Sequence, residues 1–126
     1  MKFPDKFDVL MLHAMLIAET GGTSGLRDEA AFESALAAAE NRRHYEAADV
    51  VSCAATYAYH MTQAHAFVDG NKRIGAAVAE ASLETNGHEL TMTNEELVEM
   101  SLAIASSKFS RDQVEQQFRE KVKPKH

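Results

Sequence analysis

The residues of this chain that could carry out chemistry are concentrated in nine consecutive positions. They combine an imidazole, a carboxylate, a glycine, an amide and two cations: His65-Ala66-Phe67-Val68-Asp69-Gly70-Asn71-Lys72-Arg73. A helical pattern of apolar residues ends near Ala64, and another begins near Asn71. These nine residues should therefore form a loop and the first turn of the next helix. Because the N–H groups of a first turn have no partner within the helix and the helix dipole is positive there, the stretch predicts an anion site.

The charges of the same stretch indicate which anion would bind. Lys72 and Arg73 lie where the helix dipole disfavours cations by about 0.3–1 kcal/mol each, and a bound polyphosphate would offset that cost. Gly70 can adopt a positive φ and shape a concave set of N–H groups, and Asp69 offers the kind of oxygen that binds Mg²⁺ beside substrate phosphates. The imidazole of His65 could take a proton from an attacking hydroxyl. We therefore predict catalytic roles for His65, Lys72 and Arg73, phosphate or nucleotide contacts from Gly70, Asn71, Lys72 and Arg73, and a metal contact from Asp69.

This stretch resembles the signature of the Fic/Doc family, which reads His-Pro-Phe-x-Asp/Asn-Gly-Asn-Gly/Lys-Arg. Seven of its eight specified positions match, and Ala66 replaces the proline. Proline contributes a fixed φ rather than a functional group, so the exchange affects loop stiffness and not the chemistry. Lys72 is the informative position, since adenylyl-transferring members typically carry glycine there and the death-on-curing (Doc) toxin branch carries lysine.

The resemblance extends over nearly the whole chain. Doc-like stretches include Gly21-Gly22, Gly25-Leu26-Arg27-Asp28, Glu33-Ser34-Ala35-Leu36, Tyr45-Glu46, Ala55-Thr56-Tyr57 and Asn86-Gly87. The resemblance implies a toxin of a type II toxin-antitoxin system that moves the γ-phosphate of Mg-ATP to a hydroxyl of elongation factor Tu and so inhibits translation. It also implies that the segment between the second and third helices forms a flap that positions the target.

Length and composition predict one ordinary globular domain over residues 1–126. The chain is 45% hydrophobic and 25% charged, with a formal net charge of −6. This acidic balance argues against broad binding to nucleic acid or to acidic membranes. Cys53 is the one cysteine and lies in an apolar helical pattern, so we expect a reduced core residue. No signal segment or membrane span is recognisable, and the expected location is the cytoplasm.

The periodicity predicts an all-α bundle of about six helices, with the motif loop between the third and fourth. The first helix should bury Phe7, Leu10, Met11, Ala14, Ile17 and Ala18. His13, in the same helix, is interpreted as a packed or half-exposed side chain, because no partner with metal-ligand spacing accompanies it. Two stretches with capping-box spacing, at Thr93 and Ser110, should open the last two helices.

Three other segments carry weaker signals. Residues 41–45 interrupt the apolar period, and they are either a polar connection or a rim that touches substrate. His88 to Met92 is the only extended-looking segment, too short to make a sheet by itself. The basic end of the chain, with Lys121, Lys123 and Lys125, should be a frayed, solvated tail.

Two alternative functions remain open. One is adenylyl transfer to protein hydroxyls, with the nucleotide bound the other way round, and the other is a catalytically silent helical module that binds a partner.

Many Fic proteins also carry an inhibitory helix with the pattern Ser/Thr-x-x-x-Glu-Gly/Asn. Here Thr91 and Glu95 have that spacing, but Glu96 follows in place of Gly or Asn. We therefore expect inhibition in trans, by a separate antitoxin that engages the site as a helix.

Overall fold

The computed structural model describes residues 1–125, and these form a bundle of six helices with one small sheet, as predicted. The elements in chain order are α1 (Lys6–Thr20), α2 (Glu29–Glu46), α3 (Val50–Ala64), α4 (Asn71–Thr85), β1 (His88–Leu90), α5 (Asn94–Ala105), α6 (Arg111–Lys121) and β2 (Val122–Pro124). The predicted motif loop connects α3 to α4. None of the helices within residues 1–125 is both long enough and apolar enough to cross a bilayer.

Side-chain caps explain where most helices begin. The predicted capping boxes at Thr93 and Ser110 open α5 and α6, and Asp28 and Asp49 cap α2 and α3. The start of α4 differs, because its N-cap is Gly70 in the left-handed conformation (φ 78°, ψ 18°) and no side chain caps it. The first N–H groups of α4 are thus left without the partner that a cap would supply.

Helix α3 occupies the centre of the bundle and packs most closely against α4. All seven residues from Ser52 to Ala58 are buried, including the free thiol of Cys53, as predicted. A Cβ placed on Gly75 would lie 2.4 Å from Thr62 Oγ1 and 3.0 Å from the Ala58 carbonyl oxygen. The two helices can approach this closely only because Gly75 has no side chain, which positions the end of α3 beside the start of α4.

The predicted buried face of α1 is partly wrong. Phe7 and Met11 are 77% and 66% exposed, whereas Val9, His13 and Ile17 are buried. Residues four apart share one face of a helix, so this stripe follows helical geometry. The sequence pattern misled because it assigned the larger apolar residues to the core, whereas His13, expected to be packed or half-exposed, is packed in the buried stripe.

The predicted extended segment is confirmed in part as β1, whereas the expectation of a frayed basic tail is wrong because part of that tail forms β2. β1 pairs with β2 in an antiparallel ladder that aligns Glu89 with Lys123. The Lys125 N–H donates to the Gly87 carbonyl at 2.8 Å, which holds the tail along the ladder as far as the description extends. A strand of three residues needs a partner to satisfy its backbone, and here the partner lies more than thirty residues away.

The segment at residues 41–45 belongs to the last part of α2, so the predicted polar connection is wrong, and the contacts of Arg42 do not support the alternative of a rim that touches substrate. Arg42 Nη1 donates to Thr56 Oγ1 (2.8 Å) and to the Ser52 carbonyl (3.3 Å), and it pairs with Glu115 (3.2 Å). These partners lie in the first half of α3 or on α6. His65 follows the other end of α3, a helix about 22 Å long at the usual rise per residue.

Candidate functional site

The motif loop begins at His65, which ends α3 in a left-handed conformation (φ 49°, ψ 39°). Such a conformation costs a non-glycine residue on the order of 1–3 kcal/mol unless its surroundings hold it. Arg27 does so, since its Nη2 donates to the His65 carbonyl oxygen at 2.7 Å. The backbone is thereby held while the exposed imidazole remains available to the site.

An extended segment before α2, residues 25–28, runs along the motif loop. The N–H groups of Arg27 and Asp28 both donate to the Ala66 carbonyl (2.7 and 3.0 Å), and the Val68 N–H donates to the Gly25 carbonyl (3.0 Å). Leu26 and Phe67 form an antiparallel bridge. The segment that flanks the motif loop therefore precedes the second helix, whereas the flap implied by the resemblance was assigned to the segment after it.

Asn71 pins the loop to the start of α4. Its Oδ1 accepts from the Phe67 N–H and its Nδ2 donates to the Phe67 carbonyl, both at 3.0 Å. The amide side chain is thus used in shaping the loop. What Asn71 retains for a ligand is its backbone N–H.

Phe67 anchors the loop in the core. Its ring is 2% exposed and meets Phe32 edge to face, with the ring centroids 5.4 Å apart. On its other side the ring of His13 stacks on it, at 3.8 Å and an interplanar angle of 15°. The loop is therefore held by packing as well as by hydrogen bonds.

A cavity of about 260 Å³ opens beside the loop and the first turn of α4. The residues lining it include all six predicted site residues: Thr62, His65, Val68, Asp69, Gly70, Asn71, Lys72, Arg73 and Ala105. The N–H groups of Asn71, Lys72 and Arg73 donate to no group of residues 1–125. Unpaired N–H groups, a positive helix end and two cations make this cavity suited to an anion.

Asp69 is oriented by the backbone around it. Its Oδ1 accepts from the Gly70 N–H (2.8 Å) and its Oδ2 from the Thr23 N–H (3.4 Å). A Cβ on Gly22 would lie 2.5 Å from Oδ2, and Gly22 also has a φ of 113°. Only glycine at this position therefore allows the carboxylate to lie where it does.

The donor set fits a magnesium ion bound mainly by its substrate. Of the described residues that line the cavity, Asp69 alone carries a carboxylate, and within residues 1–125 no group of three or more His, Cys, Asp or Glu side chains could hold a metal. Mg²⁺ commonly binds through one or two carboxylates together with phosphate oxygens and water. Asp69 in a cavity suited to an anion matches that mode of binding.

The two cations differ in their surroundings. Arg73 Nη1 donates to Thr20 Oγ1 and lies 3.5 Å from the Gly21 carbonyl, so its guanidinium reaches the end of α1. Lys72 forms no ion pair with any residue of the described part of the chain.

Lys72 and Arg73 also border a second, mostly apolar groove of about 340 Å³ between α4 and α5, which we call the α4–α5 groove. Its other lining residues are Ala76, Leu97, Val98, Ser101 and Leu102.

Three residues that support the site were not predicted from the sequence. Arg27 holds the His65 carbonyl, Gly22 makes room for Asp69, and His13 donates from Nε2 to the Asp69 carbonyl oxygen at 2.8 Å. For His13 a signal was present, because it completes a stripe with Val9 and Ile17 at intervals of four. Nothing in the local sequence distinguishes Arg27 from other exposed arginines.

A comparison with protein-family models extends these observations. The model described as the Fic/DOC family matches residues 3–83, well over half of the chain, and the match includes the whole motif loop. A search among curated proteins found no match. The matched region also contains the segment at residues 25–28 and the start of α4, which build the cavity. This chain belongs to the Fic/Doc family.

Proposed function

We propose that this protein is a Doc-type toxin, an enzyme that transfers the γ-phosphate of Mg-ATP to a hydroxyl of a target protein. Fic/Doc proteins generally transfer nucleotide-derived groups to proteins and use ATP, often with Mg²⁺. The observation that carries the proposal is that the His65 imidazole, the Asp69 carboxylate and the unpaired N–H groups of the α4 first turn line one cavity. The base, the metal contact and the phosphate contacts are thus adjacent.

The size of the cavity favours the phosphates over the whole nucleotide. Pockets that enclose drug-sized ligands measure about 300–1,000 Å³, and this one is about 260 Å³. A triphosphate chain with its metal fits such a space, and the nucleoside would extend beyond it. Phosphoryl transfer depends mainly on positioning and on electrostatic stabilisation, which oriented N–H groups and cations supply.

In the proposed step the target hydroxyl attacks the γ-phosphorus and loses its proton to the imidazole of His65. A bond forms between the hydroxyl oxygen and phosphorus, the bond to the β–γ bridging oxygen breaks, and ADP leaves. Lys72, Arg73 and the N–H groups hold the phosphate oxygens, and Asp69 would hold Mg²⁺. The metal would supply charge neutralisation at the phosphates.

Lys72 favours γ-phosphoryl transfer over adenylyl transfer. It has no ion-pair partner within residues 1–125 and lies beside the N–H groups, where two neighbouring cations attract the end of ATP with the most negative charge. The resemblance to the Doc branch suggests elongation factor Tu as the target and arrested translation as the result.

The decisive experiment uses ATP labelled at the α or at the γ phosphorus, with elongation factor Tu as acceptor. We expect the target to gain γ label, and His65→Ala to lose transfer by roughly 10²–10⁴-fold while still binding Mg-ATP. His44→Ala, which replaces an exposed histidine of α2, is the matched control and should transfer normally. Transfer of α label would establish adenylyl transfer instead.

The third possibility, a silent binding module, is tested by melting the protein with and without Mg-ATP. A ligand that binds only the native state at a hundred times its Kd stabilises it by about 2.7 kcal/mol. We expect an increase in melting temperature in the wild type. An unchanged melting temperature together with no transfer would favour the binding module.

We further propose that an antitoxin helix covers the α4–α5 groove. Val98 and Leu102 are 58% and 51% exposed there, and Arg73 at the border could pair with a carboxylate of the helix. Leu102→Glu should weaken neutralisation by the partner, whereas Tyr45→Glu, at the far end of α2, should not. If cells that lack any partner protein tolerated the fully active enzyme, inhibition in trans would be contradicted.

A further inference from the structure

The most unusual polar contact near the motif loop comes from α1. His13 is only 3% exposed, and its Nε2 lies 2.8 Å from the Asp69 carbonyl oxygen. A carbonyl oxygen only accepts hydrogen bonds, so Nε2 carries the proton and donates it. A buried side chain of one helix thus holds a backbone group of a loop 56 positions later.

The held carbonyl belongs to the peptide unit that joins Asp69 to Gly70. This peptide is trans, since no cis peptide occurs in the described chain, and in a planar trans peptide the C=O and N–H bonds point in opposite directions. Because the carbonyl is turned toward His13 in the core, the Gly70 N–H points the other way, toward the side chain of Asp69, a residue that lines the cavity. The N–H donates to Asp69 Oδ1 at 2.8 Å.

This orientation is not enforced by the backbone itself. Gly70 has a φ of 78°, and glycine populates positive and negative φ about equally readily, so the peptide could rotate to the opposite orientation. The rotated peptide would place a carbonyl oxygen, which repels phosphate, where the N–H now lies. The bond from the Gly70 N–H to the Asp69 side chain favours the present orientation from within the loop, and the bond from His13 to the carbonyl of the same peptide favours it from outside the loop.

We propose that His13 is a positioning residue that fixes the Asp69–Gly70 peptide with its N–H toward the phosphate cavity. This inference rests on the proposed function only for the identity of the anion. The ring of His13 is itself held, because it stacks on Phe67 at 3.8 Å, and the Phe67 backbone is pinned by the Asn71 side chain. Gly70 also lies directly against this helix, since a Cβ there would be 3.1 Å from Ile17 Cδ1 and 3.5 Å from His13 Nε2.

The experiment compares His13→Gln with His13→Met. The two side chains have similar length and both lose the stacked ring, but only glutamine keeps an N–H donor. One measurement is the residual dipolar coupling of the Gly70 N–H bond, which reports its orientation, and the other is the affinity for Mg-ADP by calorimetry. We expect His13→Met to change the coupling and to weaken Mg-ADP binding on the order of tenfold, and His13→Gln to restore most of both.

A control separates positioning from general stability. Val9→Ala removes buried apolar atoms from the same face of α1 and leaves the His13 donor in place, so it should lower the melting temperature and leave Mg-ADP affinity unchanged. If His13→Met retained the wild-type coupling or the wild-type affinity, the inference would be overturned. The same holds if His13→Gln, folded, lost affinity as far as His13→Met. Should His13→Met fail to fold, His13→Phe keeps the ring without the donor and takes its place.

The two proposals fail in different ways. A wild-type protein that binds no Mg-ADP, together with a changed Gly70 coupling in His13→Met, would support the role of His13 in orienting the peptide and reject the nucleotide. A wild-type protein that binds Mg-ADP while both His13 variants bind equally well would support the nucleotide and reject the role of His13.

Discussion

Replacing Gly75 by alanine tests whether the contact between α3 and α4 sets the geometry of the site. The added Cβ would lie 2.4 Å from Thr62 Oγ1, and Cβ atoms essentially never approach another atom closer than 3.0 Å. Thr62 is 1% exposed and β-branched, so its side chain has little freedom to turn away, and the Ala58 carbonyl is also only 3.0 Å distant. The helices must therefore separate by about 0.6 Å.

The expected loss of stability follows from two opposing effects. Overpacking a core costs about 1–3 kcal/mol, and alanine in place of glycine inside a helix gains about 1 kcal/mol. The clash involves a backbone carbonyl as well as a side chain, which favours the upper part of that range. We expect a net loss of about 1–2 kcal/mol, or a melting temperature lower by roughly 3–10 °C for a domain of this size.

Gly75→Ala should also lower the rate of transfer. α3 ends at His65, the proposed base, and α4 begins at the N–H groups proposed to bind phosphate, so separating the two helices should misalign these groups. A misplacement of about 1 Å can cost about a hundredfold in rate, so a shift of about half that size should cost on the order of tenfold. The assay is ADP release in the presence of the target, measured well below the melting temperature.

Two further variants make this prediction refutable. Adding Thr62→Ala to Gly75→Ala removes the closest clashing atom and should recover much of the lost activity, as a double-mutant cycle would reveal. Gly87→Ala, which also replaces a glycine but meets nothing within 4 Å, should leave the transfer rate unchanged. A Gly75→Ala protein with wild-type stability and rate would mean that α3 and α4 are not in contact at this point.

Three other perturbations address the charges of the molecule. Lys72→Gly should lower γ-phosphoryl transfer, since a charge contact in a water-poor site can contribute a few kcal/mol to the transition state, and an unchanged rate would exclude Lys72 from the site. Gly22→Ala should displace the Asp69 carboxylate and raise the Mg²⁺ concentration needed for half-maximal activity, and an unaltered Mg²⁺ titration would count against the metal contact. Hydrogen bonds from Arg119 hold the pKa of Asp49 well below its usual range, so this pair stabilises the fold above about pH 4 and the effect is lost as the pH falls through the lowered pKa. Asp49→Asn, which keeps a capping side chain, should therefore lower the melting temperature at pH 7 and converge on the wild type in acid, and a difference that persisted in acid would refute the ion pair as its cause.

Features determined by a few neighbouring residues were predictable from the sequence. The capping boxes at Thr93 and Ser110, the stop after Ala64 and the free first turn at Asn71 all depend on contacts within one or two turns of the chain. The same applies to the composition of the motif, whose cations and helix start predict an anion site from adjacent residues alone. Helix formation and capping are local, so local patterns are sufficient to recognise them.

Only the tertiary structure decided which distant groups support those residues. The bond from Arg27 to the His65 carbonyl spans 38 positions and the bond from His13 to the Asp69 carbonyl spans 56. The helical spacing of His13 can indicate that it is buried, but it does not indicate which group it contacts. The pairing of β1 with β2 and the exposure of Phe7 were missed for the same reason. A backbone carbonyl accepts a hydrogen bond from any donor that packing brings within reach, so the identity of its partner is fixed by how the helices pack and not by the residues on either side of it.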